Sequence, residues 1–99
     1  MRIARIIGSV TLNRHHPAMT AARLRLAVPL SLDDLAEGRQ GEAEPLVVWD
    51  DLGAGDGDLI AVSEGGEAAQ PFRPELKPVD AYCAAILDNV HLGINHADK

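Results

Sequence analysis

The residues of this 99-residue chain that are best suited to chemistry form one short run in its middle. Asp50 and Asp51 are adjacent carboxylates, a residue type that general acid–base catalysis uses. They are followed by a glycine-dense run of the kind that binds phosphate in other proteins, made of Gly53, Ala54, Gly55, Asp56, Gly57 and Asp58. Acid–base catalysis and phosphate binding each also require particular residue types at particular spacings around this run.

The glycine run departs from both common phosphate-binding patterns. A dinucleotide fingerprint needs its third glycine three positions after the second, at the start of a helix, but Gly57 comes one position early and a strand is predicted next. The other pattern needs a lysine after its last glycine, where this chain has Asp58. We therefore interpret the run as a structural loop and Asp50 and Asp51 as turn-forming residues. Gly55 and Gly57 are expected to serve positive φ angles or close backbone packing.

The histidines and the cysteine show no spacing suited to a metal or to nucleophilic catalysis. His15 and His16 are adjacent in a predicted connection, and His91 and His96 lie near the C-terminal end. The single cysteine, Cys83, excludes an intrachain disulfide and a cysteine-rich zinc site. We expect it to be a buried, inert thiol, and we predict no catalytic residue, no cofactor and no metal site.

Four strands and one short helical turn are predicted from the pattern of apolar residues. β-branched residues and alternation place strands at 2–12, 23–28, 46–49 and 59–62, with a bend or bulge at Gly8. Ser31 is suited to cap a helical turn at 31–36. The segments 13–22, 33–45 and 63–78 are rich in proline, glycine or charge, and we predict that they are connections and surface loops.

The segment 79–90 has the spacing of an amphipathic helix. Its apolar residues are spaced at i, i+3, i+4, i+7, i+8 and i+11, and Pro78 precedes it. We therefore predict one C-terminal helix. Strands without βαβ alternation, followed by this helix, indicate a mostly β fold: a small barrel in a single domain, 1–99.

Charge is distributed unevenly along the chain, whose net charge is −6. Residues 1–32 hold five arginines and no acidic residue, whereas residues 33–67 hold eleven acidic residues and one arginine. An acidic balance argues against nucleic acid and anionic membranes as partners. The two halves are suited to pair within the fold or between copies, or else the acidic stretch is a solvated loop. No apolar run approaches the roughly 20 residues that span a bilayer, and no signal-peptide pattern is present, which favours a cytoplasmic protein.

The order of these segments resembles the pentameric vertex shell proteins of bacterial microcompartments. Segments 3–10 and 24–30 look like that family's first two strands, and 78–90 looks like its closing helix. Asp50 with the run from Gly53 resembles its Gly-Ala-Gly-x-Gly-Glu signature, with Asp58 where glutamate is usual. The loop after the fourth strand departs from the family's Ser-Gly-Ser-Ser-Ala-Arg-like sequence, because a basic residue is lost and two acids are gained.

The resemblance implies an OB-like five-stranded barrel and a structural, non-enzymatic role in a cytoplasmic microcompartment shell. Its implied partners are four further copies of itself and the hexameric shell proteins. It implies a structural loop with subunit contacts at Gly53, Ala54, Gly55, Gly57 and Asp58, and pore or loop contacts at Ser63, Gly65 and Gly66. Two alternatives stay open: a ligand-binding or catalytic barrel that uses Asp50, Asp51 and the glycine run, and an OB-type nucleic-acid module. The second lacks the stacking aromatics and basic groove that such modules use.

Overall fold

Five strands form a closed barrel in the computed structural model, which describes residues 1–93. Around the barrel the strands follow the order β1-β2-β3-β5-β4, and each neighbouring pair is antiparallel except β3 and β5. The mostly β barrel predicted from the sequence is confirmed. The strand bounds are β1 (Arg2–Val10), β2 (Leu24–Pro29), β3 (Leu46–Trp49), β4 (Leu59–Glu64) and β5 (Ala81–Leu87).

The barrel interior is filled by small aliphatic side chains from alternate strand positions. Ala4 and Ile6 of β1 and Ile60 and Val62 of β4 are buried, and their neighbours along each strand mostly face outwards. The four predicted strands are confirmed. So is the bulge, because the register between β1 and β2 shifts between Ile6 and Gly8.

The predicted C-terminal helix is wrong, because most of that segment forms strand β5. Ala81 and Cys83 point into the core, and β5 pairs with β4 from Leu59↔Leu87 to Glu64↔Ala81. Burial alternates along β5 as in a strand, so Tyr82 and Ile86 of the predicted apolar helix face lie on its less buried side. The backbone N–H and C=O groups of β4 need a second partner strand besides β1. Pairing with β4 therefore outweighs the helical spacing of the apolar residues in 79–90.

The connections hold more regular structure than the sequence predicts. A 3₁₀ turn spans Pro17–Met19, and a longer 3₁₀ segment, Gly65–Phe72, occupies part of the stretch predicted as an irregular loop. The capped turn after β2 is confirmed as helix α1 (Leu32–Glu37). Within residues 1–93, no helix has the length and apolar character needed to cross a membrane.

Helix α1 begins with a reciprocal cap between Ser31 and Asp34. The Asp34 backbone N–H donates to Ser31 Oγ at 3.0 Å, and the Ser31 backbone N–H donates to Asp34 Oδ2 at 2.9 Å. The backbone hydrogen bond from Ser31 lowers the pKa of the Asp34 carboxyl. Gly38 ends the helix in the left-handed conformation, with φ of 67°.

Side chains close the seam between β3 and β5, which pair through Trp49 and Tyr82. The Phe72 ring lies edge-on to both, with centroids 4.7 Å from Trp49 and 5.5 Å from Tyr82. Lys77 Nζ lies 5.5 Å from the Trp49 and Phe72 centroids and donates to the Ala18 carbonyl at 2.8 Å. The three aromatic residues of the chain therefore form one cluster over the seam.

We predict that Ser31→Ala lowers the free energy of unfolding by about 1 kcal/mol, the usual value of a helix N-cap. The cause is the loss of the Ser31 hydroxyl acceptor for the Asp34 N–H. Urea unfolding at one protein concentration measures the change. The matched control is Thr11→Ala at an exposed position, which should alter stability by less than about 0.5 kcal/mol. Equal effects of the two substitutions would contradict the assigned cap.

Candidate functional site

The glycine loop, residues 50–58, connects β3 to β4, and a buried carboxylate holds its first turn. Asp50 is 2% exposed. Its Oδ1 accepts from the N–H groups of Leu52 at 2.9 Å and Gly53 at 3.2 Å, and its Oδ2 accepts from Ala54 N–H at 2.8 Å. These three bonds offset the cost of burying the charge. The interpretation of Asp50 as a turn-forming residue is confirmed.

Asp51 has a different environment and a different partner. It is exposed, and its Oδ1 accepts from Trp49 Nε1 at 2.8 Å. Both oxygens of Asp50 are already hydrogen-bonded within the loop. Each carboxylate therefore has its own partner, Asp50 the loop backbone and Asp51 the Trp49 indole.

The far end of the glycine loop is fastened to β1. Gly57 N–H donates to the Ile6 carbonyl at 2.8 Å, and Ile6 N–H donates to the Asp58 carbonyl at 2.9 Å. Gly57 has a φ of 89°, a value that favours glycine. The positive φ expected from the sequence is therefore confirmed at Gly57. Gly55 does not have a positive φ, and within the chain a Cβ there would meet Asp58 Oδ2 at an ordinary 3.6 Å, so close packing against a neighbouring copy stays a prediction for this residue. Gly55 donates its N–H to that oxygen at 2.8 Å.

Arginines from the basic N-terminal part contact the acidic middle of the same chain. Arg25 Nη2 lies 2.5 Å from Asp56 Oδ1, and Arg2 binds both carboxylate oxygens of Glu64. This side-chain hydrogen bond lowers the pKa of Glu64 and raises that of Arg2. These two ion pairs show the basic and acidic parts pairing within one chain, which is one of the arrangements expected from the sequence. The sequence showed the charge imbalance but not which partners would meet.

The residues predicted for pore or loop contacts, Ser63, Gly65 and Gly66, lie at the end of β4 opposite the glycine loop. Ser63 pairs with Tyr82 within the sheet, and Gly65 N–H donates to the Asp80 carbonyl at 2.9 Å. Gly66 follows in the 3₁₀ segment. A strand of this length spans about 20 Å. The structure therefore does not bring Ser63, Gly65 and Gly66 together with the glycine loop.

Cys83 is fully buried in the barrel core, on a strand and not on the predicted helix face. Burial raises the pKa of its thiol to about 11, which keeps it protonated and unreactive at neutral pH. His16 Nδ1 accepts from Ala18 N–H at 3.0 Å and caps the first 3₁₀ turn. In residues 1–93, no three metal-ligating side chains cluster. His96 lies outside the described residues.

We predict that Asp50→Ala lowers the free energy of unfolding by about 2–3 kcal/mol, because three loop N–H groups lose a charged acceptor. Chemical denaturation measures the loss. Asp88→Ala removes an exposed carboxylate and should cost less than about 0.5 kcal/mol. A cost for Asp50→Ala as small as that of the control would show that the loop does not depend on this anchor.

We predict that a disulfide reagent labels Cys83 slowly in the folded protein. With a pKa of about 11, about one thiol in a thousand is ionised at pH 8, and the sulfur is also inaccessible. In strong denaturant the same sample should react at once with one equivalent of reagent per chain. Folded protein that reacts as fast as denatured protein would overturn the assignment.

The sequence matches the family model described as "Ethanolamine utilisation protein EutN/carboxysome" over residues 1–88. It is 32% identical over 92 residues to the carboxysome shell vertex protein CcmL of Nostoc sp., covering 93% of this chain and 87% of that protein. It is 27% identical over 93 residues to the microcompartment shell vertex protein EutN of Salmonella typhimurium, covering 94% of this chain and 89% of that protein.

Solved structures agree with the sequence comparison. The barrel superposes on CcmL of Gloeobacter violaceus with a TM-score of 0.81 and 29% identity, over 94% of this chain and 91% of the other. It also superposes on the pentameric microcompartment shell protein GrpN of Rhodospirillum rubrum. The TM-score is 0.77 and the identity 26%, over 93% of this chain and 99% of GrpN. Since the family model spans nearly the whole chain and the fold agrees, this protein belongs to the EutN/CcmL family of microcompartment shell vertex proteins.

Proposed function

We propose that five copies of this chain form a pentameric cap that closes a vertex of a bacterial microcompartment shell. The observation that carries the proposal is the family match over residues 1–88, shared with relatives that are named as shell vertex proteins. The solved relatives with the same barrel include a pentameric shell protein, and the match spans 99% of that protein's length. The chain then works in the cytoplasm, as part of the shell.

Shell geometry explains why such a cap is needed. Hexagonal tiles alone form flat or tubular layers, and pentagons supply the corners that close a polyhedron. The partners of the pentamer are therefore the hexameric shell proteins of the same compartment. A five-membered ring uses a head-to-tail interface, in which each subunit presents one face and receives a different one.

We assign the glycine loop to the contact between neighbouring subunits. Its two ends are anchored by Asp50 and Ile6, so the loop presents a defined shape. It also carries Leu52, a large apolar side chain that is 52% exposed in the single chain and would be covered by a neighbour. Gly53, Ala54, Gly55, Gly57 and Asp58 complete this surface, and Ser63, Gly65 and Gly66 are assigned to pore or loop contacts at the other end of β4.

The proposal includes no catalytic role. Asp50 is committed to the loop backbone, Asp51 to Trp49 Nε1, and Cys83 is a protonated thiol in the core. These contacts disfavour the alternative of a catalytic barrel built on Asp50 and Asp51. They are consistent with relatives that are structural shell proteins.

Native mass spectrometry at micromolar concentration should find a pentamer, five chains of 10.5 kDa or roughly 52 kDa in all. Leu52→Glu should shift this mass towards monomer, because a charge would be buried in the interface. Leu32→Glu is the matched control: Leu32 is also 52% exposed but lies on helix α1. It should leave the pentamer intact.

The outcomes separate two levels of the proposal. A wild-type chain that is mainly monomeric or dimeric would contradict the vertex cap itself. A wild-type pentamer that both variants retain would leave the cap standing and would overturn the assignment of the glycine loop to the subunit contact.

A further inference from the structure

A cleft of about 390 Å³ opens where β1 and β2 meet the glycine loop. Ser9 of β1, Arg25 of β2 and Arg23, which directly precedes β2, line it on one side, and Asp50 and Gly53 line it from the loop. Arg25 lies directly opposite Ser9 on β1 and opposite Val48 on β3. Because opposed side chains share a sheet face and Val48 is in the core, Arg25 reaches the cleft from the inner face of the barrel.

One edge of the Arg25 guanidinium is only half used. Its Nη2 contacts Asp56 Oδ1 at 2.5 Å, whereas its Nε is buried and has no hydrogen-bond partner within the described residues. The Nε and Nη2 hydrogens lie parallel on the same edge and match the two oxygens of a carboxylate or phosphate. Leaving one of them unpaired in a buried position costs free energy that a bidentate oxyanion would recover.

The other charges around the cleft leave room for an anion. Arg23 lines the same cleft, and within residues 1–93 its side chain makes no ion pair. The Asp50 carboxylate faces the cleft but is engaged by three backbone N–H groups. The Asp56 side chain is 72% exposed, and exposed ion pairs are weak, so another oxyanion can replace it.

We propose that this cleft is an oxyanion-binding site. A carboxylate or phosphate group binds Nε and Nη2 of Arg25 together, Arg23 supplies the second positive charge, and Asp56 is the internal occupant that the ligand displaces. The oxyanion is either a small free anion or a carboxylate side chain of a neighbouring copy. The site is built within one chain, so only the version in which a neighbouring copy supplies the carboxylate rests on the proposed assembly.

Thermal unfolding of the full-length protein tests the site, with sodium phosphate and sodium acetate compared with sodium chloride at equal ionic strength. If the site takes a free anion, both oxyanions should raise the unfolding temperature, because a ligand that binds the folded state stabilises it. Arg25→Lys keeps the charge but loses the paired donors, and it should abolish the effect. Arg39→Lys is the control, since Arg39 pairs with Glu37 outside the cleft, and it should keep the effect.

Asp56→Asn provides a readout that general destabilisation would not produce. Removing the internal competitor should tighten the dissociation constant for phosphate by about twofold to fivefold, the range expected for a weak exposed ion pair. This variant changes only an exposed side chain, so it keeps the proposal testable if Arg25→Lys fails to fold.

Light scattering in the same buffers distinguishes the two sources of the oxyanion. If a neighbouring copy supplies it, Arg25→Lys lowers the oligomer mass and phosphate disperses the wild-type oligomer. If the oxyanion is a free anion, mass is unchanged while stability rises. The proposal is overturned if phosphate, acetate and chloride give the same wild-type unfolding temperature while Arg25→Lys matches Arg39→Lys in mass. Phosphate stabilisation that persists in Arg25→Lys also overturns it.

Discussion

Closure of the sheet on itself is the constraint on which the other features of this fold depend. A sheet edge left open exposes unpaired backbone groups, and a small chain has few residues with which to cover it. Strand β5 removes the edges of both β4 and β3, with a long antiparallel ladder on one side and the pair Trp49 and Tyr82 on the other. Where backbone pairing is short, Trp49, Phe72, Tyr82 and Lys77 seal the seam instead. The few aromatic residues are thus placed where the barrel is weakest.

The glycine loop shows how a surface segment is given a defined shape without regular secondary structure. Asp50 replaces the missing backbone partners at the start of the loop, and the backbone hydrogen bonds of Ile6 with Gly57 and Asp58 continue the sheet at its end. Between these anchors the loop carries the exposed Leu52. A fixed loop binds a neighbour at a lower entropic cost than a mobile one. This physical logic suits a subunit whose function is to assemble in a fixed geometry.

Charge in this chain serves both the fold and its surface. The basic first third meets the acidic middle through Arg2 with Glu64 and Arg25 with Asp56, pairs that are far apart in sequence. Because the Asp56 and Glu64 side chains are exposed, these contacts add little stability. Beside the cleft, the buried Arg25 Nε has no hydrogen-bond partner among residues 1–93. The uneven charge along the sequence therefore brings Arg25 and Asp56 together at the cleft, where we propose that an oxyanion displaces Asp56.

The sequence by itself determined the strands β1 to β4, the bulge at Gly8, the cap at Ser31 and the buried thiol of Cys83. Each of these depends on local pattern, on a capping residue or on hydrophobicity, which are readable without partners. Order and spacing of motifs also identified the family before any coordinates. The resemblance and the local pattern both predicted a helix at 79–90, which the structure corrected.

Only the tertiary structure decided that most of residues 79–90 form a strand, and which partners the charged groups contact. Apolar spacing in that segment suits a helix, but β4 offers a ladder of backbone partners that a helix would leave unsatisfied. Likewise, the sequence places Asp50 beside Asp51 without showing that one is buried by three N–H groups while the other binds Trp49. Nor did it distinguish Gly57, which needs its positive φ, from Gly55, which does not. Pairing between distant strands decides these points, and local sequence does not encode which distant residues will meet.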